Sequence, residues 1–298
     1  MSNDTTNKDR AYFDKWLKDT PLALKPMRDI TVNDMHTLFK KFTQGRQLTK
    51  SRFGNFKSML NILFDYAVVY GAIEHNIVRE IRCAQYKCKP QKNAVSDVYT
   101  TDEINRLWHY MIEKNTVYSL AYALSFCLGC RIGEIKALRW SNIDFNRRIV
   151  NISAEVVITG LYANEQALCD HTKSGLTEGN REIPFFDDGY TTLMKIKELH
   201  CDEEFLFLGK TGKFLLTQEI NNNIKDACEE LGIVYRSSHK IRKWAATEAC
   251  RNGMDEVSLM YTFGWKDRQT AQHYIKSGRT QQAQLDVLSK VFDKSVVV

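Results

Sequence analysis

The sequence predicts a mainly α-helical protein with a small β-sheet, built as two domains. Three observations carry this. Apolar residues recur at helical spacing through most of the 298 residues. Short β-type runs replace that period between Arg148 and Phe185. A basic, polar stretch broken by Pro90, residues 85–98, separates a smaller helical part (1–84) from a larger one (99–298).

Along the chain, residues 8–20 predict a first helix with Tyr12, Phe13 and Trp16 on one side. Thr31 caps a second, with Met35, Leu38, Phe39 and Phe42 at helical spacing, and the dipeptide Gly45-Arg46 breaks it. Thr49 opens a long third helix to Tyr70, with Phe53, Phe56, Leu60, Leu63 and Phe64 inward and Gly71 at its end. Asn76 starts a short fourth helix, IVREIRCA. Beyond the linker, Thr100 and Glu103 match a capping box, and an apolar helix runs from Thr116 to Cys130. Residues 148–152, 155–159 and 182–185 read as strands, with HTKSGLTEGNR as a hairpin tip. Helices resume near Tyr190, 205–208 is a short extended piece, and Thr217 caps a helix to Glu230. Residues 280–293 carry Leu285, Leu288, Val291 and Phe292 at helical spacing before an apolar tail, Val296–Val298.

The net charge of +6 is unevenly spread. Residues 1–95 hold 17 basic against 9 acidic side chains, and the remainder 25 against 27. The basic N-terminal third suits a nucleic-acid backbone. Lys50, Arg52 and Lys57 lie near the positive start of the third helix, and Lys87 and Lys89 (with Lys92) make the linker basic. These five are the candidate DNA contacts; a solvated surface is the alternative. No apolar stretch spans a membrane, and the N-terminus has no signal-peptide core, so a cytoplasmic protein is expected. The eight cysteines have no framework spacing, and Cys127-Leu-Gly-Cys130 sits in an apolar run that reads as core. No Asp-x-Asp, His-Glu pairing or phosphate-binding glycine loop is present, so neither metal nor cofactor is expected.

The chemistry concentrates in Ser238–Tyr274. His239 and Arg242 share a helix face, Gly264-Trp265 follows, and Tyr274 lies nine residues past the tryptophan. Upstream, GCRIGEIKALRWSNID contains Arg131 and Glu134; TKSG, followed by REIPF, contains Lys173. These motifs, in order, resemble those of the tyrosine recombinase (phage-type integrase) family: its first arginine motif, its hairpin lysine, its His-x-x-Arg, its Leu-Gly-His/Trp and its tyrosine. The resemblance is detailed over residues 100–280 and looser over 8–85. It implies a helical core-binding domain and an α/β catalytic domain whose catalytic residues are Arg131, Lys173, His239, Arg242, Trp265 and Tyr274. It is nearest to integrases of conjugative transposons and phages, with a bacterial host.

The residue types fit that chemistry. Two arginine forks suit the non-bridging oxygens and growing charge of a phosphodiester under attack. Tyr274 is the expected nucleophile, and its phosphotyrosine conserves bond energy, so no ATP is needed. Lys173 is the general acid that the resemblance implies, and His239 bonds the phosphate or assists the tyrosine proton. Trp265, at the second-histidine position of many members, can only donate a hydrogen bond. A purely structural Arg131–Glu134 pair is the bland reading of that arginine. The implied partners are double-stranded recombination sites, a homo-tetramer on DNA, reached through the C-terminal helix docked in trans or else packed in cis, and an accessory directionality factor. The implied reaction is two rounds of strand exchange through a Holliday junction. Xer-type resolvase, type IB topoisomerase and a non-enzymatic DNA-binding protein are the alternatives. Mobile-element integrases usually carry an extra N-terminal arm-binding domain; its absence here implies either a member built without one or a truncated form.

Overall fold

The computed structural model describes residues 3–44, 48–89, 98–160, 164–170, 180–200, 203–209 and 211–278. The chain divides into two compact units, Met1–Val95 with Thr159–Leu161, and Ser96–Ile158 with Tyr162–Val298. Among the described residues, no helix is long and apolar enough to cross a membrane.

The first unit is helical: α1 (Asn3–Trp16), α2 (Val32–Thr43) and α3 (Lys50–Val69). Thr31 and Asp34 close a capping box at the start of α2, so both exposed backbone donors there are satisfied. Met35, Leu38, Phe39 and Phe42 of α2 are buried against Phe53, Phe56, Leu60 and Phe64 of α3. Their rings meet edge to face, Phe39 and Phe53 with centroids 5.0 Å apart. Leu63 departs from expectation: it stands exposed with Ile62 and Tyr66 on the outer face of α3. Asn76 opens not one α-helix but two 3-10 turns, Ile77–Glu80 and Cys83–Gln85. Three-residue spacing brings Val78 and Ile81 both into the core, as an α-helix would also have done, so the apolar pattern does not tell the two apart.

The start of the expected linker is built into this unit. The Tyr86 ring packs on Phe39 and Phe53, its hydroxyl meets Nδ1 of His36, and the Lys89 amide donates to the Leu48 carbonyl at 2.7 Å.

The second unit contains α4 (Thr101–Lys114), α5 (Val117–Leu128), α6 (Ile132–Lys136), five short strands, then α7 (Asp187–His200), α8 (Thr217–Glu230), α9 (His239–Arg251), α10 (Glu256–Phe263) and α11 (Arg268–Gly278). Helix α5 is its axis. Leu120, Ala121, Tyr122, Ala123 and Leu124 are all fully buried, so this helix is enclosed by α4, α7, α8 and α9. At Thr217 the expectation shifts by one residue. Leu216 is the N-cap, bonded by Glu219, while the Thr217 hydroxyl accepts from Lys136.

The strand reading also changes. β1 (Ile143–Asp144), β2 (Ile149–Ile152) and β5 (Arg181–Pro184) form one antiparallel sheet in the order β1-β2-β5. β3 (Glu155–Ile158) pairs instead with β4 (Gln166–Cys169), a strand that the periodicity did not reveal. The QALC of β4 is half-exposed on both faces, so it shows no alternation. The hairpin is thus β3–β4, and the segment with Lys173 joins β4 to β5 rather than lying at the tip between β3 and β5. Lys173 itself lies outside the described residues.

Candidate active site

Helix α5 ends at Gly129, whose φ of +61° is a left-handed C-cap. A Cβ there would lie 3.1 Å from both Ala245 of α9 and Phe263 of α10, so the glycine allows these helices to close on the turn. The chain then enters α6 through Arg131, whose amide is bonded by Glu134 Oε2 at 2.9 Å.

Glu134 is the centre of the site. Its carboxylate is fully buried and surrounded by three guanidinium groups. Arg131 Nη1 donates to Oε1 at 2.8 Å, Arg181 Nη2 donates to Oε2 at 2.7 Å and Nη1 to Oε1 at 3.3 Å, and Arg242 Nη1 stands 3.8 Å away. Burial alone would raise the Glu134 pKa. Arg181, Arg242 and Arg131 outweigh it and hold the group at about 2. Arg242, itself buried, is drawn down to about 10 by desolvation, partly offset by Glu134, and stays cationic at neutral pH. Three cations against one anion leave the cluster positive.

The surplus is met by backbone. Three successive carbonyls at the end of α10 each accept from one arginine. Thr262 O takes Arg181 Nε at 2.8 Å, Phe263 O takes Arg242 Nη2, and Gly264 O takes Arg131 Nη2 at 3.4 Å. These carbonyls lie at the negative end of the helix dipole, so α10 acts as a second partial anion. Of the three side chains, Arg131 keeps most solvent contact, 25% against 1% for Arg181 and 3% for Arg242.

Gly264 also turns the chain, with φ of +55°. Trp265 follows, stacked between Phe263 (centroids 5.1 Å, 21°) and Tyr274 (4.8 Å, 7°). The Arg242 guanidinium stands over Phe263 and Trp265, 5.4 and 5.7 Å from the ring centres. Tyr274, on α11, is buried with Ala246, Leu259 and Phe263. His239, the first residue of α9, faces solvent; desolvation by its surroundings, then Arg242, Lys240, Arg131 and Lys243, lower its pKa, favouring the neutral ring.

The structure therefore brings Arg131 and Arg242 onto one carboxylate and Trp265 onto Tyr274, with Arg242 touching both groups. The Arg131–Glu134 pair is real, and it is one edge of a larger cluster. Arg181 was missed by sequence reasoning. The available signal was its register: in β5, Arg181 and Ile183 point inward while Glu182 and Pro184 point outward. The role of Trp265 as a stacking plate for Tyr274 was not legible either, because nine residues and a turn separate them. Among the DNA-contact candidates, Lys50, Arg52, Lys87 and Lys89 are exposed, while Lys57 is half-buried and donates to the Ile81 carbonyl. Among the described residues, no three His, Cys, Asp or Glu side chains are grouped to hold a metal ion.

Residues 97–280 match the profile of the phage integrase family. A probable integrase of prophage ps2 from Lactococcus lactis is 24% identical over 295 residues, 94% of this chain and 74% of the relative. The transposase of transposon Tn916 from Enterococcus faecalis is 22% identical over 87% of this chain and 66% of its own length. In fold, the chain is similar to the Tn1549 transposon integrase in complex with a circular intermediate DNA (TM-score 0.74, 16% identity, 98% of this chain and 94% of that one). It is also similar to a lambda integrase tetramer bound to a Holliday junction (0.65, 17%, 90% and 73%). With its arginine cluster and stacked tyrosine inside the matched span, the chain belongs to the phage integrase family, the tyrosine recombinases.

Proposed function

We propose that this chain is a site-specific DNA recombinase of a mobile element, cleaving and rejoining strands through a 3′-phosphotyrosine at Tyr274. The observation that carries this reading is the convergence of Arg131 and Arg242 on Glu134, beside the Trp265–Tyr274 stack. Two fixed guanidinium groups compensate the charge that develops on the phosphate oxygens. Attack by the Tyr274 oxygen forms the phosphotyrosine and releases a 5′-oxygen, which takes a proton from Lys173. A neutral His239 accepts the phenol proton or bonds the phosphate. The reverse attack by a 5′-hydroxyl of a partner strand restores the diester. No step needs a metal ion or ATP, since the arginines supply the charge and the phosphotyrosine keeps the bond energy.

Residues 1–84 act as the core-binding domain, 85–98 as the linker and 99–298 as the catalytic domain. Lys50 and Arg52 of the first and Lys87 and Lys89 of the linker meet phosphates. The open cavity of about 760 Å³ lined by Asn33, His36, Lys40, Gln85 and Lys87 offers donors for a groove. The DNA complexes and the Holliday-junction tetramer of the structural relatives support a homo-tetramer on duplex sites; docking of the C-terminal segment 280–298, in trans or in cis, and an accessory directionality factor belong to the same reading by resemblance alone. The setting is the bacterial cytoplasm. The test is a nicked duplex that traps the cut strand. The unaltered protein forms a covalent adduct on the ends of its own element, and Tyr274→Phe binds the DNA but forms none. Binding without any adduct by the unaltered protein would refute the enzymatic reading.

A further inference from the structure

The third arginine of the cluster needs an explanation that phosphate binding does not supply. All three nitrogens of Arg181 are committed inside the protein: both Nη atoms to Glu134 and Nε to the Thr262 carbonyl. Its side chain is 1% exposed. It packs closely on Gly264, where a Cβ would stand 3.0 Å from Nη1 and 3.3 Å from Cζ. Arg131, by contrast, touches Glu134 with only one of its two terminal nitrogens, the other reaching the Gly264 carbonyl; Arg242 donates to the Phe263 and Gly129 carbonyls and stands 3.8 Å from Glu134 without a hydrogen bond to it.

This division of labour matters when DNA binds. A phosphate that recruits the forks of Arg131 and Arg242 draws their charge away from Glu134 and from the end of α10. A buried carboxylate left unpaired is costly, and a helix C-terminus left uncapped frays. Arg181 alone keeps bidentate contact with Glu134 and stays on α10. Thr262 lies three residues before Trp265, so the same guanidinium also fixes the turn that carries the plate for Tyr274.

We infer that Arg181 is a positioning residue of the recombinase: it holds Glu134 and the C-terminus of α10 so that Arg131 and Arg242 can both turn to the scissile phosphate. The inference rests on the reading of Arg131 and Arg242 as phosphate ligands. It treats Glu134 and the α10 carbonyls as a template with three slots, one of them permanently filled.

The experiment compares two nicked duplexes that differ at the scissile position, an ordinary phosphodiester and an uncharged methylphosphonate. The methylphosphonate demands less positive charge, so it reports on how well the arginines are aimed rather than on whether the protein is folded. Arg181→Met is expected to slow adduct formation on the phosphodiester by about 10- to 100-fold, the scale of a misplaced catalytic group. On the methylphosphonate the loss is expected to be less than about threefold, as it is for Arg131→Ala used as reference. Arg181→Lys keeps the charge but not the three-point fork; it is expected to restore the melting temperature more fully than the phosphodiester rate. If Arg181→Met does not fold, Arg181→Lys carries the same comparison of substrates. An unchanged phosphodiester rate, or an equal loss on both substrates that follows the melting temperature, overturns the inference. If instead Arg131→Ala shows no preference for the methylphosphonate, the reading of the phosphate ligands fails first.

Discussion

Replacing Glu134 by glutamine removes one negative charge from among three arginines while keeping the shape of the side chain. The magnitude follows from the site. Glu134 is held at about 2 against an ordinary 4.5, a depression worth about 3 kcal/mol at neutral pH. Breaking a buried ion pair by removing one partner costs about 3–5 kcal/mol, which agrees. For a unit of roughly 200 residues, that lowers the melting temperature by about 6–12 °C. The pH dependence has a defined sign. Because the folded pKa is depressed, the contribution is complete above about 4.5 and is lost as the pH falls from there through about 2. Urea unfolding of the whole chain and of Glu134→Gln, at pH 7, 5 and 4, reads both effects. The gap between the two proteins should be about 3 kcal/mol at pH 7 and narrow by about 1 kcal/mol at pH 4. A gap below about 1 kcal/mol at pH 7, or one that does not narrow toward pH 4, would show that the arginines are not organised on this carboxylate.

Further outcomes follow from neighbouring contacts. Trp265→Ala removes the plate under Tyr274 and should slow adduct formation about 3- to 10-fold, whereas Trp265→Phe keeps most of the stack; equal rates for both variants would deny the stack a role. Gly264→Ala meets a φ of +55° and the Arg181 guanidinium together, and should cost about 1–2 kcal/mol in urea unfolding; a neutral substitution would contradict the packing. Lys136 is buried, bonded to Gln166 and Thr217, and desolvation lowers its pKa to about 8. Between about pH 8 and 10.5 the unfolded chain holds this proton while the folded one releases it, so its contribution to stability rises with pH. Lys136→Met should lack that rise, so the stability of the unaltered protein relative to the variant should grow by about 2 kcal/mol from pH 7.5 to 9.5; a constant difference would place the ammonium in solvent.

The legibility of this protein varied with the kind of signal. The cap at Thr31, the capping box at Thr100, the apolar period of α2 and the apolar run of α5 were readable because the cause is local. The 3-10 turns after Asn76 were not, since IVREIRCA satisfies helical spacing as well as the observed one. Strand β4 escaped because its QALC alternates nothing, and missing it misplaced the Lys173 segment in the topology. In the candidate site, Arg131, Glu134, Arg242, Trp265 and Tyr274 could be picked out from motif spacing and the structure brings them together, whereas Lys173, picked out in the same way, lies outside the described residues. Arg181 was hidden because its partners lie 47 and 81 residues away, on α6 and α10. Its register on β5 carries the only local trace. The stacking of Trp265 on Tyr274 is likewise a product of the turn at Gly264, which folds α11 back onto α9 and α10.

In the proposed reaction Tyr274 is the nucleophile, served by Arg131 and Arg242. The most direct measurement digests the covalent adduct formed on a nicked duplex with protease and nuclease, and sequences the peptide carrying the nucleotide by mass spectrometry. The expected peptide spans Tyr274 with the nucleotide on its phenolic oxygen, attached through the 3′-phosphate. A nucleotide on Tyr261, Tyr235 or Tyr190, or one attached through a 5′-phosphate, would contradict the account.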